Sequence, residues 1–324
     1  MDERLKVGVA GAGKMGALHL EKYLQIEDVE VVGFFEPSQA RAEAIQAKLR
    51  VKAFDNPSAL FFETDAVTIA SPTASHYSLA RMALEMGTHV LIEKPITQTV
   101  AEAEDLIRIA KEQALVLQVG FIERFRYHAL VKNYPLSPVR FIETHRLSAS
   151  LNREPSVDVV ADLMIHDLDL VLSLVGEEPS NVSAIGVPVI TDHCDLANVR
   201  LEFPSGAVAN LNASRVSAKP FRKLRIFSTE AYASLDFIGN TVEVSYKIGN
   251  QIERKSTEPM AMDSLLDQCR HFAARARDGR SPLVRGEDGA LALRYAGIVA
   301  AKIAERAAWR PKAPSFPTKS HTIV

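Results

Sequence analysis

Apolar runs and helical patterns alternate along the first 120 residues of the chain. The apolar runs lack the strict polar alternation of half-exposed strands, and a helix-like segment separates most of them from the next. Such a pattern indicates a parallel sheet covered on both faces. The predicted strands are Leu5–Ala10, Val29–Phe35, Asp65–Ala70, His89–Ile92 and Leu115–Gly120, and the predicted helices are Met15–Gln25, Gln39–Leu49, Ser75–Met86 and Ala101–Glu112. We therefore predict a doubly wound α/β domain over residues 1–122, with its ligand beyond the carboxyl ends of the strands.

The pattern changes after residue 122. One apolar helix is predicted over Ser156–Val175, and strand and turn signals dominate from Asn181 onward. An Ala-rich helix is predicted at Glu287–Trp309, and the tail 311–324 contains three prolines, which favour an extended or disordered segment. We predict a second, α+β domain over residues 123–324 with a large open, mainly antiparallel sheet. Because an open sheet must cover its outer face, we expect a homodimer or homotetramer through this sheet.

Composition and charge narrow the class of protein. Hydrophobic residues make up 47% and charged residues 24% of the 324 residues, which is typical of a soluble globular protein. The net charge of −2 provides no basic field for nucleic acid or an anionic membrane. Cys194 and Cys269 form neither a metal-ligand spacing nor a disulfide framework. We expect a cytoplasmic protein with no metal site and no nucleic-acid or membrane partner, since there is no signal peptide and no apolar run of about 18 residues.

A glycine-rich loop, Gly11-Ala12-Gly13-Lys14-Met15-Gly16, joins the first predicted strand to the first helix. The spacing Gly-x-Gly-x-x-Gly is weak evidence alone, but its position between a strand and a helix strengthens it. Gly11 permits the tight turn, Gly13 lets a pyrophosphate approach the backbone, and Gly16 lets helix and strand pack closely. The helix start supplies free N–H groups to phosphates. The loop predicts a nicotinamide-dinucleotide site; a purely structural glycine turn is the alternative.

Glu36 ends the second predicted strand, 20 residues after Gly16. A carboxylate there can accept hydrogen bonds from an adenosine ribose and would repel a 2′-phosphate, which favours NAD over NADP. Arg41 is an opposing signal because a nearby cation accommodates that phosphate. A plain surface carboxylate is the alternative interpretation of Glu36.

Two further motifs follow the third and fourth long strands. Ser71-Pro72-Thr73 precedes His76 at the start of a helix, and Glu93-Lys94-Pro95 follows His89–Ile92. Because both lie at carboxyl ends of strands, we predict cofactor contacts from these segments and an ammonium group pointing into the crevice. The alternatives are a helix-capping histidine and an exposed, salt-bridging lysine. The predicted cofactor residues of these segments are Ser71, Pro72, His76, Glu93 and Lys94.

These motifs resemble those of the glucose-fructose oxidoreductase/inositol dehydrogenase/rhizopine catabolism (Gfo/Idh/MocA) family. The segment Gly120-Phe121-Ile122-Glu123-Arg124-Phe125 is similar to that family's crossing into its second domain. The resemblance extends over nearly the whole chain in the same order. It implies an NAD(P)-dependent sugar oxidoreductase with a Rossmann domain, whose C-terminal helix packs back on that domain.

A polar stripe interrupts the apolar helix predicted over Ser156–Val175. Asp162, His166 and Asp169 fall at i, i+4 and i+7 and share one helix face. Buried charges are costly unless paired, so the stripe indicates either a catalytic site or a structural ion-pair network. The resemblance implies a catalytic set of Lys94, Asp162 and His166. In our hypothesis His166 accepts the hydroxyl proton, Lys94 holds the hydroxyl oxygen and Asp162 orients one of them.

Residues 158–237 most resemble the family's UDP-N-acetylglucosamine 3-dehydrogenases, through the phrases Asp162–Leu170, Arg200–Phe203, Asn212–Ser217 and Arg222–Phe227. This resemblance implies oxidation of the sugar 3-hydroxyl, which would feed an aminotransferase on the way to an amide-linked lipid A. A cation cluster agrees with a diphosphate substrate. Its members are Arg215, Lys219, Arg222, Lys223 and Arg225. The predicted substrate contacts are Arg124, Arg153, Asp162, His166 and Arg215.

Other interpretations of the sequence stay open. The cation cluster is also typical of a solvated strand face or a subunit contact. A dehydrogenase of a free sugar or of a polyol such as inositol would need no such cluster. A catalytically silent NAD-sensing protein and a flavin enzyme share the glycine-rich loop, although the complete set of Lys94, Asp162 and His166 argues against a silent protein.

Overall fold

The computed structural model describes residues 4–131, 134, 136, 138–148, 158–249 and 251–307. Two sheets organise this part of the chain. The first contains six parallel strands in the order β3-β2-β1-β4-β5-β6. These strands are β1 (Leu5–Ala10), β2 (Val29–Phe35), β3 (Ala53–Phe54), β4 (Ala66–Ile69), β5 (His89–Ile92) and β6 (Leu117–Val119). The strand order reverses between β1 and β4, which is where doubly wound proteins bind their ligands.

Helices cover both faces of this sheet. They are α1 (Lys14–Tyr23), α2 (Gln39–Leu49), α3 (Pro57–Phe62), α4 (His76–Glu85) and α5 (Val100–Glu112), with a short 3₁₀ turn at Thr73–Ser75. Local sequence explains where some of them begin. The Asn56 side chain caps α3, and Thr99 and Glu102 form a reciprocal capping box on α5.

The second half of the chain builds an eight-stranded sheet in the order β14-β13-β12-β11-β7-β10-β9-β8. All its neighbouring strands are antiparallel except β7 and β10. The strands are β7 (Val139–Leu147), β8 (Asn181–Val187), β9 (Leu196–Glu202), β10 (Val208–Ser214), β11 (Phe221–Ser228), β12 (Ala231–Asp236), β13 (Thr241–Ile248) and β14 (Gln251–Ser256). The helices are α6 (Ile122–Val131), α7 (Ile165–Val175), α8 (Ser264–Asp278) and α9 (Gly286–Ala307), and a π-helical turn, Val160–Met164, leads into α7.

The last two helices return to the first sheet. Helix α8 packs on α1, where Cys269 and Phe272 complete the apolar core formed with Leu20 and Tyr23. Helix α9 lies against α5 and β6 on one side and against α7 and β8 on the other. Gly289 permits this approach, since a Cβ there would lie 2.7 Å from a methyl carbon of Val119. The two halves of the chain therefore pack against each other through α8 and α9.

The fold class predicted from the sequence is confirmed, with differences in detail. The predicted helix Ser156–Val175 is wrong over its first turns, because Val160–Met164 is π-helical, and residues 156 and 157 lie outside the described part of the chain. Helices α6 and α8 and the short elements β3 and α3 were not predicted. Residues 308–309 of the predicted C-terminal helix and the tail 311–324 also lie outside the described residues. No helix in the described part of the chain is long and apolar enough to cross a bilayer.

Candidate active site

A cavity of about 630 Å³ lies where the glycine-rich loop, the carboxyl ends of β5 and β6 and the start of α7 meet. Its wall combines residues of the first sheet with residues of α6, β7, β11 and α8. The lining residues are Lys14, Met15, Glu93, Lys94, Gly120, Ile122, Glu123, Arg146, Asp162, Leu163, His166, Arg222 and Leu265. The cavity thus contains the predicted catalytic set together with two residues of the glycine-rich loop.

The glycine-rich loop has the geometry of a pyrophosphate site. Gly11 has a positive φ of 88°, and a Cβ on Gly16 would lie 1.9 Å from the Gly11 carbonyl oxygen, so both positions need glycine. Gly13 differs, because a Cβ there would meet nothing within 4 Å. No described side chain caps the first turn of α1, whose N–H groups therefore stay available to a phosphate. These observations fit a dinucleotide whose pyrophosphate lies over Gly13.

Glu36 is held against the same loop. The Ala12 N–H donates to its Oε2 at 3.0 Å, and Arg41 Nη1 donates to its Oε1 at 3.0 Å. The Glu36 side chain is 4% exposed, whereas that of Arg41 is 55% exposed. The cation that could attract a 2′-phosphate is therefore paired with the carboxylate that would repel it.

His76 connects two loops instead of facing the cavity. Its Nδ1 lies 2.9 Å from the Pro95 carbonyl oxygen and its Nε2 lies 2.8 Å from the Ser71 carbonyl oxygen. Burial lowers the pKa of His76, and the single N–H of the neutral ring can serve either carbonyl. Ser71, Pro72 and His76 were predicted as cofactor contacts, but the structure places none of them in the cavity lining. His76 braces the Ser71 loop against the loop after Lys94.

Lys94 joins the two sheets at the cavity. Its Nζ donates to the Asp162 backbone carbonyl at 2.8 Å and lies 3.4 Å from Asp162 Oδ1. The two side chains are 19% and 21% exposed, so both are reachable from the cavity. The peptide bond between Lys94 and Pro95 is cis. The structure thus brings together two members of the predicted catalytic set.

His166 lines the cavity one turn after Asp162 and packs edge-on against Phe121, with 5.8 Å between ring centroids. Asp169, the third member of the predicted stripe, points elsewhere. Its carboxylate receives two hydrogen bonds from Arg124, at 2.8 and 3.0 Å. His166 and Asp169 both lie on α7, and Arg124 of α6 holds the Asp169 carboxylate outside the cavity lining.

An arginine-rich wall faces Lys94 and His166, formed by Glu123, Arg146, Asp167 and Arg222. Arg146 makes a bidentate contact with Asp167, at 2.8 and 2.9 Å, and both Arg146 and Arg222 donate to Glu123 Oε1, at 3.2 and 3.1 Å. Although burial opposes the charged form, Arg146, Arg126 and Arg222 hold the pKa of Glu123 below its usual value. The Arg222 side chain is 34% exposed, so it can meet a ligand.

The strand β11 places members of the predicted cation cluster on opposite faces of the sheet. Arg222 faces the cavity, and Arg225 pairs with Glu143 at 2.9 Å on the opposite face of the sheet. Arg215 is buried beside Asp195, with 3.7 Å between Nε and Oδ1. Arg124 and Arg215, both predicted as substrate contacts, are therefore held in ion pairs away from the cavity lining, and the predicted contact Arg153 lies outside the described residues.

Sequence reasoning missed several residues of the wall. Arg146 and Asp167 had no motif, although the alternation of Ile142, Thr144 and Arg146 along β7 marks one buried face. Glu123 lies in the segment Gly120–Phe125 that resembles the family's crossing into its second domain, but the sequence analysis assigned it no function. Nothing local relates Glu123 to Arg222, 99 positions later.

Comparison with known proteins identifies the family. The model of the oxidoreductase family with an NAD-binding Rossmann fold matches residues 5–121, and the model of the GFO/IDH/MocA C-terminal domain matches residues 126–234. The chain belongs to the GFO/IDH/MocA family. The predicted family, enzyme class and NAD cofactor are thereby confirmed, and the chain is a sugar oxidoreductase with an NAD-binding Rossmann domain.

Individual relatives agree with this assignment. UDP-N-acetylglucosamine 3-dehydrogenase of Acidithiobacillus ferrooxidans is 41% identical over 246 residues, which are 75% of this chain and 77% of that protein. Myo-inositol 2-dehydrogenase of Thermotoga maritima is 26% identical over 316 residues, 89% of this chain and 93% of that protein. The solved structure of UDP-N-acetylglucosamine 3-dehydrogenase GnnA from A. ferrooxidans superposes with a TM-score of 0.88 at 36% identity, covering 93% of this chain and 98% of that one.

Proposed function

We propose that this protein oxidises the 3-hydroxyl of UDP-N-acetylglucosamine with NAD and releases the 3-keto nucleotide sugar. The observation that carries the proposal is the meeting of Lys94, Asp162 and His166 in the cavity that also contains Lys14 and Met15 of the glycine-rich loop. The choice of sugar is supported by the relative that is 41% identical. The 3-keto product suits an aminotransferase that would supply a 3-amino sugar for an amide-linked lipid A.

Oxidation of a secondary alcohol needs removal of a hydride and a proton. NAD bound at the glycine-rich loop supplies the hydride acceptor. His166 accepts the hydroxyl proton, since imidazole titrates near neutrality. The Lys94 ammonium holds the hydroxyl oxygen and stabilises the negative charge that develops on it. Asp162 fixes the Lys94 ammonium through its carbonyl oxygen and carboxylate.

The arginine-rich wall supports an anionic substrate. In this wall Arg146 and Arg222 pair with the carboxylates of Glu123 and Asp167, and Arg126 lies 3.6 Å from Glu123 Oε2 outside the cavity lining. The exposed part of the Arg222 side chain suits a diphosphate, which guanidinium groups bind through paired N–H donors. A neutral polyol would gain nothing from this wall.

A comparison of substrates tests the proposal. NADH formation is followed by absorbance with UDP-N-acetylglucosamine, free N-acetylglucosamine and myo-inositol. We expect the highest kcat/KM with the nucleotide sugar. Equal rates on all three would contradict the nucleotide-sugar assignment, and a preference for inositol would support the second candidate, a polyol dehydrogenase, which the relative from T. maritima favours. In parallel, retained turnover by His166→Ala would contradict the role of His166 as base.

We also propose that the outer face of the eight-stranded sheet binds a second copy of the chain. Phe141, Phe227 and Tyr232 form an aromatic cluster at its centre, with ring centroids 5.4 and 4.8 Å apart, and Phe227 is 36% exposed. Light scattering tests this proposal. We expect an oligomer that Phe227→Glu dissociates; a monomeric parent protein would contradict it.

A further inference from the structure

A buried histidine holds one carboxylate of the cavity. His19 lies on α1 and is fully buried, and its Nε2 lies 2.8 Å from Oε1 of Glu93. Glu93 lines the cavity, and its side chain is 12% exposed. The other nitrogen of the ring, Nδ1, lies 3.5 Å from the Cys269 sulfur of α8. The carboxylate thus has a fixed partner behind it and an open side towards the cavity.

The surroundings of Glu93 keep it charged. Its Oε2 accepts from the Lys94 N–H at 3.3 Å, and Gly120 leaves it room, since a Cβ on Gly120 would lie 3.0 Å from the carboxylate. Burial favours the neutral acid, but His19 and Lys94 together hold the pKa of Glu93 below its usual value. Although burial lowers it, Cys269 and Glu93 raise the pKa of His19 to about 10. Glu93 therefore forms the negative end of an ion pair and faces the cavity, and His19 forms the positive end on the buried side.

The Glu93 carboxylate lies where the reacting ring of a bound cofactor would change its charge. Glu93 shares the cavity with Lys14 and Met15 of the glycine-rich loop and is the immediate neighbour of Lys94. A nicotinamide ring that received a hydride from an alcohol held by Lys94 would therefore lie close to this carboxylate. The oxidised ring carries a positive charge and the reduced ring is neutral, so a fixed anion attracts only the oxidised ring.

Without Glu93 this part of the wall would be cationic. Lys14 and Lys94 would then repel the oxidised ring, because Asp162 is paired with Lys94 and Glu123 is paired with Arg146 and Arg222. His19 contributes because a partly buried carboxylate that loses its donor takes up a proton or turns away. The pair therefore places its negative end on the cavity side, beside Lys94.

We propose that Glu93, held in place by the positioning residue His19, makes the cavity bind NAD⁺ in preference to NADH. The inference rests on NAD binding at this cavity and not on the identity of the sugar. It can therefore be tested without a sugar, and its failure is distinguishable from failure of the proposed function.

The experiment measures the Kd of NAD⁺ and the Kd of NADH separately, by calorimetry and by NADH fluorescence, for the full-length protein and its variants. For Glu93→Gln we expect weaker binding of NAD⁺ by about tenfold and a change for NADH of less than about twofold, which is the range of a partly exposed charge pair. His19→Leu should move the ratio of the two constants in the same direction. His19→Gln keeps a donor near the place of Nε2 and should preserve the ratio.

A second histidine provides the matched control. His271 lies on α8 and accepts the Leu283 N–H at 2.9 Å, outside the cavity lining. His271→Gln should leave the ratio of the two Kd values unchanged. Equal weakening of NAD⁺ and NADH by Glu93→Gln, or no change in either, would overturn the proposal. The Glu93→Gln variant tests the preference for NAD⁺ even if His19→Leu fails to fold. If the ratio of the two Kd values changes in His19→Gln but not in His19→Leu, the positioning role of His19 is overturned.

Discussion

The Lys94 ammonium nitrogen lies 2.8 Å from the backbone carbonyl oxygen of Asp162, 68 positions later in the chain. The contact ties the end of β5 in the first sheet to the π-helical turn before α7 in the second half. A backbone carbonyl cannot be removed by a side-chain substitution, so part of this contact persists in any variant of Asp162. The position of the ammonium therefore depends on how the two halves pack together.

Replacing Lys94 with Met should remove the cation that holds the hydroxyl oxygen while keeping the length of the side chain. We expect kcat to fall by about 10²–10⁴-fold, the range for loss of an electrostatic or acid–base group, with little loss of NAD affinity. Steady-state kinetics and cofactor titration measure the two effects. The control is Lys111, which pairs with Glu287 on the surface, and Lys111→Met should leave kcat and NAD affinity unchanged. A kcat within a few-fold of the parent for Lys94→Met would contradict the proposed mechanism.

Adjacent residues of β11 test the anionic subsite. Arg222→Met should raise KM for UDP-N-acetylglucosamine by about 10- to 100-fold, since a hydrogen bond to a charged group contributes about 1.5–3 kcal/mol. Lys223→Met removes a charge on the opposite face of the same strand and should leave KM within about twofold. If both variants change KM alike, the substrate does not meet Arg222 specifically.

Gly13 and Gly16 should separate cofactor binding from stability. A Cβ at residue 13 meets nothing within 4 Å, so Gly13→Ala should change the free energy of unfolding by less than about 1 kcal/mol while obstructing the pyrophosphate. A Cβ at residue 16 would overlap the Gly11 carbonyl oxygen at 1.9 Å, so Gly16→Ala should destabilise the fold itself. Thermal unfolding and NAD titration of both variants check this. Unchanged NAD affinity in Gly13→Ala would place the pyrophosphate elsewhere.

Glu36 should set the preference for NAD. Glu36→Ser removes the carboxylate that repels a 2′-phosphate and releases Arg41 from its pairing at 3.0 Å. We expect the ratio of kcat/KM for NADP to that for NAD to rise by about 10-fold or more, as for other charge-assisted phosphate contacts. The double variant Glu36→Ser/Arg41→Ala should lose most of this gain. If this ratio of kcat/KM values is the same in Glu36→Ser as in the parent protein, another residue determines the preference at the adenosine ribose.

Asp169 should give the stability a pH dependence of unusual sign. Burial raises its pKa to about 6 despite the pairing with Arg124. Because the folded state holds this proton more tightly than the unfolded state, the contribution of Asp169 to stability falls as pH rises from about 4 to about 6. Between pH 4 and pH 7, the free energy of unfolding of the parent protein should fall by about 2 kcal/mol relative to that of Asp169→Asn. Urea unfolding at both pH values measures this difference.

The control for Asp169 is a carboxylate shifted in the other direction. Hydrogen bonds from Arg108 and Tyr77 lower the pKa of Asp105, so its contribution is present at neutral pH and is lost only as the pH falls below about 4. Relative to Asp105→Asn, the parent protein should therefore show no fall in the free energy of unfolding between pH 4 and pH 7. A flat difference for Asp169→Asn would mean that the ion pair with Arg124 cancels the cost of burial.

The sequence predicts the first sheet well because its strands are short apolar runs that end at motifs. The bounds of β1, β2 and β5 agree residue by residue with the prediction. The two-residue strand β3 gives no periodic signal, and α8 was missed among the strand and turn signals of the second half. Its apolar residues, including Phe272, face α1, a partner some 250 positions earlier in the chain.

The candidate site was only partly predictable for a similar reason. Lys94 follows a predicted strand, and Asp162 and His166 share a helix-face spacing. The resemblance to the family joined the three into a catalytic set, and all three line the cavity. Asp169 was grouped with Asp162 and His166 by its spacing on the helix face, but Arg124 of α6 binds its carboxylate outside the cavity lining. The distinction between Arg222 and its neighbours depends on which face of β11 is buried, and the sequence alone does not set that face.

Helix α8 has a consequence for synthesis of the protein. The core under α1 includes Cys269 and Phe272, so the segment over residues 5–121 does not close this core by itself. While the chain emerges from the ribosome, the apolar surface of Leu20 and Tyr23 stays uncovered until α8 has been made. The nucleotide-binding half is therefore completed late in synthesis. A shortened chain that ends before Ser264 would expose this apolar surface and would be prone to aggregate, so it would not form an independent binding module.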